Sequence, residues 1–261
     1  MKSPSKSVRV SRRKLLMAGL FVLPVAALAG DSMLLEPQWL KVKSLPLSRS
    51  LGCRLAHFTD VHYKGDRAYL QRVVEKINEA KPDLVCFTGD LVEEDGHLDE
   101  ALELLGKIQA PMYGVPGNHD FWAKVDFDKF RRAFARQGGA WLHNDTATVF
   151  RGKIKLHGVA QIRKYQPAPQ PGVTNILLAH YPAWADDLED KKFDLILAGH
   201  THGGQVRIPG YGPLVIPYES EEYDYGLFQS KGGPLYVSSG IGYFMLNVRF
   251  NCRPEVVVIE L

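Results

Sequence analysis

Cysteine is scarce in this chain. Cys53, Cys86 and Cys252 are spread through 261 residues, and no CxxC occurs. A disulfide scaffold or a structural zinc site needs more thiols at closer spacing, so neither is expected. Pairing of Cys53 with Cys252 stays open. Positive charge is also scarce beyond the first 29 residues. That stretch holds six basic groups (Lys2, Lys6, Arg9, Arg12, Arg13, Lys14) and no acid. The remainder carries 26 basic against 29 acidic residues. A general electrostatic footprint for nucleic acid is therefore missing. No repeat and no low-complexity tract appears. There is no GxSxG and no P-loop, so serine-hydrolase and NTPase readings lack a nucleophile or a phosphate cradle. What is present is a globular composition, 45% hydrophobic and 23% charged, long enough for one α/β domain with a sizeable core.

Residues 15–29, LLMAGLFVLPVAALA, form an uncharged, mostly apolar run directly after the basic stretch. The run is short for a spanning helix, and Pro24 interrupts it. Ala27-Leu28-Ala29 fits a small-x-small cleavage site. SRRKLL, with paired Arg12 and Arg13, resembles the twin-arginine export signal of bacteria, with Leu15 and Met17 replacing its usual Phe and Lys. Residues 1–29 are therefore expected to be a cleaved export signal read by the twin-arginine machinery. The alternative is an uncleaved membrane anchor. Either places the body outside the cytoplasm, in the periplasm or on the outer face of the inner membrane. Residues 30–50 read as a first strand and connector, and 51–261 as the globular domain.

Within that domain, apolar runs at 54–59, 84–88 and 112–115 alternate with helical spacing at 67–80 and 97–108. That alternation implies parallel strands. Further strands are expected at 146–150, 154–159, 174–179, 193–198, 234–238 and 255–260. The predicted fold is α/β, a four-layer αββα sandwich of two mixed sheets. Polar residues recur where the apolar strands end. Asp60-Val61-His62 follows the second strand, and Gly89-Asp90 the third. Gly117-Asn118-His119-Asp120 follows the fourth, His180 follows ILLA, and Gly199-His200-Thr201-His202 follows LILA. Sites in open α/β sheets form outside the carboxyl ends of strands. Five strands thus deliver carboxylates, an amide and imidazoles to one rim, where they would repel or stay unsatisfied without a cation. A pair of divalent ions sharing one carboxylate is the economical solution. The donor mixture suits Mn, Fe, Zn or Co better than Ca or Mg.

DVH, GD, GNHD, AH and GHTH, in this order and approximate spacing, resemble the calcineurin-like metallophosphoesterases. The resemblance spans 54–261. SRRKLL, TDVHY, GHTHGGQ and NCRPEV look closest to the exported YaeI-like bacterial phosphodiesterases. The resemblance implies that Asp60, His62 and His202 hold one metal and Asn118, His180 and His200 the other, with Asp90 bridging. It further implies a metal-bridging hydroxide as nucleophile and His119 as general acid reaching substrate. Asp120 or Asp60 would orient the His119 ring. Asp120 and Glu93 are expected behind the ligands, although Glu93 stands where many relatives carry Asp. The implied activity is hydrolysis of a small-molecule or lipid-linked phosphodiester. Two rival readings are a UDP-diacylglucosamine pyrophosphate hydrolase of lipid A synthesis and a non-catalytic metal-binding scaffold. His57, His97, His143 and His157 lie outside the blocks and are expected to be structural. Gly203-Gly204-Gln205 either approaches phosphate or only makes a turn. The apolar stretches 206–218 and 243–246 either pack into the second sheet or wall the substrate cleft.

Overall fold

The computed structural model describes residues 29–47, 50–162, 164–188, 190–220 and 222–261. The expected export signal lies outside these, apart from Ala29. Among the described residues no helix is long and apolar enough to cross a membrane.

Alternation of side chains sorts the strands into layers. In β2 (Arg54–Phe58) and β3 (Leu84–Phe87), Leu55, Leu84 and Cys86 face one core, while Ala56, Phe58, Val85 and Phe87 face another. Strands buried on both faces read as continuous apolar runs, as these do. They lie in a six-stranded sheet with β1 (Lys41–Pro46), β14 (Glu255–Glu260), β4 (Met112–Gly114) and β5 (Ala140–Trp141), in the order β1-β14-β2-β3-β4-β5. The second sheet contains β6 (Asp145–Val149), β7 (Ile154–Val159), β8 (Thr174–Ala179), β9 (Leu195–Ala198), β12 (Gly226–Ser230) and β13 (Gly233–Val237), in the order β12-β13-β9-β8-β7-β6. Both sheets are mixed. β14 runs antiparallel to β2 in the first, and β6 and β12 are antiparallel to their neighbours in the second. A short hairpin, β10 (Arg207–Ile208) with β11 (Gly212–Pro213), stands apart.

Three helices cover the first sheet. α1 (Arg67–Glu79) buries Leu70, Val73, Val74 and Ile77, and is capped by the Asp66 side chain accepting from Tyr69 N. α2 (Leu98–Leu105) buries Leu98, Ala101, Leu102 and Leu105. After the short α3 (Asn118–Trp122), α4 (Phe127–Arg136) buries Phe130 and Phe134, each contributing about 1.5–3 kcal/mol through removal from water. The outer layer on the second sheet is thinner. The 3₁₀ turn Pro182–Asp186 and neighbouring loops bring Ala185, Leu188 and Phe193 onto Leu177 and Ile196. Between the sheets lie Leu55, Cys86, Leu156, Leu178, Leu197, Val257 and Ile259. The three cysteines are free and buried, so Cys53 and Cys252 do not pair. The parallel strands β2, β3 and β4 of one sheet, and β7, β8 and β9 of the other, bring their carboxyl ends to a common rim.

Candidate metal centre

At that rim the backbone turns abruptly. Asp60 (φ 51°), His62 (43°), Asp90 (60°), His200 (70°) and His202 (50°) all occupy the left-handed region. Residues other than glycine seldom sit there, although Asp and His are among the better tolerated. Such strain, about 1–3 kcal/mol per residue, clusters where function over-determines the chain. The carboxylates also require bare backbone beside them. A Cβ at Gly117 would lie 2.0 Å from Asp90 Oδ1, and one at Gly199 would lie 2.3 Å from Asp60 Oδ2. The two sheets are joined here by the backbone N–H of His200, which donates to both Asp60 oxygens at 3.0 Å.

Two donor sets converge. In the first, His62 Nε2 faces His202 Nε2 at 3.0 Å. Asp60 Oδ1 lies 3.6 Å from His202 Nε2 and 3.9 Å from His62 Nε2. In the second, His180 Nε2 lies 3.0 Å from Asn118 Oδ1 and 3.2 Å from Asp90 Oδ2. Asp90 Oδ2 is also 3.5 Å from His62 Nε2, so one carboxylate faces both sets. All six side chains are buried. Ligands about 2.0–2.2 Å from one ion stand roughly 3–3.5 Å from each other, and these separations fit that spacing. Two imidazole nitrogens aimed at each other beside two buried carboxylates form a cation's donor set, and Asp60, His62 and His202 group as one.

The far nitrogens of His180 and His62 are tied down, as is usual for metal-binding imidazoles, whereas Nδ1 of His202 is buried without a hydrogen-bond partner. His180 Nδ1 donates to the Thr88 carbonyl at 2.7 Å. His62 Nδ1 donates to Glu93 Oε1 at 2.6 Å, and His119 Nδ1 to Glu93 Oε2 at 2.8 Å. Glu93 thus orients the His119 ring, which corrects the expectation that Asp120 or Asp60 would. Asp120 is instead occupied with the backbone. It accepts from the N–H groups of Asp90, Leu91 and Gly117, each at 2.9 Å, and so holds the Asp90 turn against the start of α3. His200 stands at the edge. Its Nε2 donates to the Tyr218 carbonyl at 2.8 Å, which leaves Nδ1 for a ligand, and its ring centre is 5.1 Å from that of His180.

The electrostatics follow from this crowding. Burial would raise Asp60, but the imidazoles of His202, His62 and His180 hold it well below the usual carboxylate range. Asp90, opposed by burial but paired with His180, is held at about 2. Burial pulls His62 down, yet the Asp60, Glu93 and Asp90 carboxylates outweigh it and push the imidazole up to about 9. His180 is likewise pushed up to about 9 against burial, chiefly by Asp90. Burial keeps His202 neutral, well below the ordinary histidine value. Burial and the charge on Asp90 lift Asp120 to about 6, despite its three backbone donors.

Sequence reasoning missed Trp122 beside His119 and named Phe244 only as part of the 243–246 run that either packs into the second sheet or walls the cleft. Trp122 and Phe244 pack against its ring at 4.6 and 5.1 Å between centres. Trp122 sits one helical turn after His119, a signal in the sequence, whereas nothing local pairs Phe244 with His119 from 125 positions away. His57 and His157 are structural as expected, bonded to Thr88 and Asn175. Gly203-Gly204-Gln205 makes a turn in which Gly203 leaves room for the Cys252 thiol.

The family model for calcineurin-like phosphoesterases matches residues 53–204. The metallophosphoesterase YkuE of Bacillus subtilis is 29% identical, with 97% of this chain and 98% of that protein aligned. The phosphodiesterase YaeI of Escherichia coli is 28% identical, over 97% and 99% of the two chains. A solved archaeal phosphodiesterase aligns with 74% of this chain and 87% of its own at 11% identity, with a TM-score of 0.45. With the family model spanning more than half its length, the chain belongs to the calcineurin-like phosphoesterase family.

Proposed function

We propose that this chain is a dinuclear metal-dependent phosphodiesterase, exported from the cytoplasm of a bacterium. The observation that carries the reading is Asp90 Oδ2, within 3.2 Å of His180 Nε2 and 3.5 Å of His62 Nε2, linking two convergent donor sets. In this reading Asp60, His62 and His202 hold one ion. Asn118, His180 and, through Nδ1, His200 hold the other, with Asp90 shared. Such a pair supplies Lewis acidity for the phosphate oxygens and a low pKa for an attacking water.

The chain's own groups do the rest. Glu93 accepts from Nδ1 of His119, so Nε2 is the nitrogen left to meet substrate and protonate the departing alkoxide. Trp122 and Phe244 fix the ring plane. They also give the leaving-group side an aromatic wall against which the departing group of a phosphoester can pack. Asp120 keeps Asp90 and the α3 start in register. YaeI, named a phosphodiesterase, aligns end to end with this chain and supports diester hydrolysis.

The test is metal content and turnover measured together. Purified protein should hold close to two divalent ions per chain. Chelation should abolish hydrolysis of a bis-aryl phosphodiester, and Mn²⁺ should restore it. Asp90→Asn should lower occupancy of both sites and turnover in parallel. Full activity in a chelated, metal-free preparation would sink the reading.

A further inference from the structure

Beside the donor sets, the loops leaving β9 and β13 enclose a groove of about 420 Å³. It begins at His202 and is walled by Val206, Leu214, Val215, Met245 and Leu246, with no Lys, Arg, Asp or Glu in its lining. The apolar stretches here do not pack into the second sheet. Val215, Met245 and Leu246 are 75%, 76% and 70% exposed. Yet both loops are firmly held. The Gln205 amide donates to the carbonyls of Leu246 and Val248 at 3.1 Å, and its oxygen accepts from Phe244 N at 2.6 Å. The buried Arg249 guanidinium donates to the carbonyls of Gly242, Ser239 and Cys252. Apolar side chains displayed on a braced scaffold mark an interaction surface rather than a folding requirement.

A second observation says what covers it. Met33, Leu34 and Leu35, in the helical turn Asp31–Leu35, are also exposed. This turn is fastened to the segment that follows the Met245–Leu246 loop. The Ser32 carbonyl accepts from Arg249 N at 2.9 Å, and the Glu36 carboxylate accepts from Asn251 N and Cys252 N. The chain preceding that turn carries the uncharged run 15–29 and, ahead of it, basic groups without an acid. Basic residues flanking apolar ones are the composition that an anionic lipid surface attracts. In the uncleaved-anchor alternative, this lipid-seeking end of the chain joins the body at the edge where the groove opens.

We propose that this apolar rim docks on a lipid bilayer and that the groove takes up an acyl chain, so that the metal centre faces phosphodiesters presented at a membrane surface. The docking geometry stands on the exposed rim; its chemical use rests on the phosphodiesterase reading above. The rim dips into the acyl boundary, as interfacial apolar side chains do. The groove then leads a chain toward His202.

The three native cysteines are buried, so a thiol-directed, environment-sensitive dye can be placed at Leu246→Cys in the full chain. A control dye goes at Lys153→Cys, in the exposed turn where β7 begins, on the opposite rim. With vesicles of phosphatidylethanolamine and phosphatidylglycerol, the dye at 246 should shift to the blue and that at 153 should not. Unchanged emission at 246 while the protein floats with the vesicles overturns the proposal. So does a blue emission at 246 before vesicles are added, which would assign the groove to the chain's own apolar run or to a second copy. Met245→Ser with Leu246→Ser should then slow hydrolysis of a vesicle-borne phosphodiester about 10-fold relative to a small soluble diester, since less apolar area partitions. Equal slowing of both also overturns it. Failure of the wild type to cleave either diester defeats the phosphodiesterase reading and leaves the dye result standing.

Discussion

Glu93 is the residue whose removal tests the site most directly. One carboxylate accepts from two imidazoles, His62 at 2.6 Å and His119 at 2.8 Å. Glu93→Gln keeps the shape but offers one accepting oxygen and one donating amide. It can therefore serve one imidazole N–H and must present N–H to the other. A hydrogen bond to a charged partner contributes roughly 1.5–3 kcal/mol, or about 10–150-fold in an equilibrium or rate. Groups that orient a metal's imidazoles cost about 10–100-fold when changed. Glu93→Gln should thus weaken metal affinity or turnover by about 10–100-fold, and Glu93→Ala by more. Titrating Mn²⁺ into chelated protein while following a bis-aryl diester separates the two consequences. A disturbed His62 shifts the metal midpoint and is rescued by excess Mn²⁺. A misoriented His119 lowers the plateau, and no metal concentration restores it. Glu93 is partly exposed and outside the hydrophobic core, so the variant should still fold. A wild-type midpoint together with a wild-type plateau would refute the bridging role.

Three further outcomes are expected. His119→Ala should keep its metals but lose about 10²–10⁴-fold in turnover, the usual range for an acid catalyst; loss of metal instead would make it a ligand. The pH response of the chelated protein follows from His62 and His180, both raised to about 9 in the folded state from roughly 6.5 unfolded. Their stabilisation is complete below about pH 6.5 and is lost as pH rises through 9. The chelated protein should therefore melt earlier between those limits while its metal affinity rises, because ions displace those protons; a melting point that climbs over this window would contradict the assignment. Finally, we propose that Arg12 and Arg13 are read by the twin-arginine machinery: Arg12→Lys with Arg13→Lys keeps the charge but should leave precursor in the cytoplasm, whereas undiminished export would point to an ordinary signal or an anchor.

Much of the fold was readable because burial imposes periodicity on the chain. The runs at 154–159, 174–179 and 255–260 match β7, β8 and β14 in extent, and Leu70, Val73, Val74 and Ile77 mark the buried face of α1. α4 was overlooked although Phe127, Phe130 and Phe134 hold helical spacing and Asp126 caps it by accepting from Asp128 N. β5 has two residues, too short for any period. β12 alternates partly buried and exposed residues at a sheet edge, where the apolar signal fades.

The sequence by itself determined the composition of the site. Carboxylates, an amide and imidazoles stand directly after apolar runs, and a strand buried on both faces must release its polar residues at its end. Seven of the eight polar groups named for metals and acid, Asp60, His62, Asp90, Asn118, His119, His180 and His202, meet within the two donor sets and the Glu93 bridge. Only the tertiary structure decided what stands behind them. Glu93 is 31 residues from His62 and 26 from His119, so whether it, Asp60 or Asp120 reaches a given ring nitrogen depends on how loops from different strands pack, which no local pattern encodes. The same holds for the outward turn of His200 and for Val215, Met245 and Leu246. Their hydrophobicity alone left core and cleft wall both open, and the bracing by Gln205 and Arg249 left them facing water.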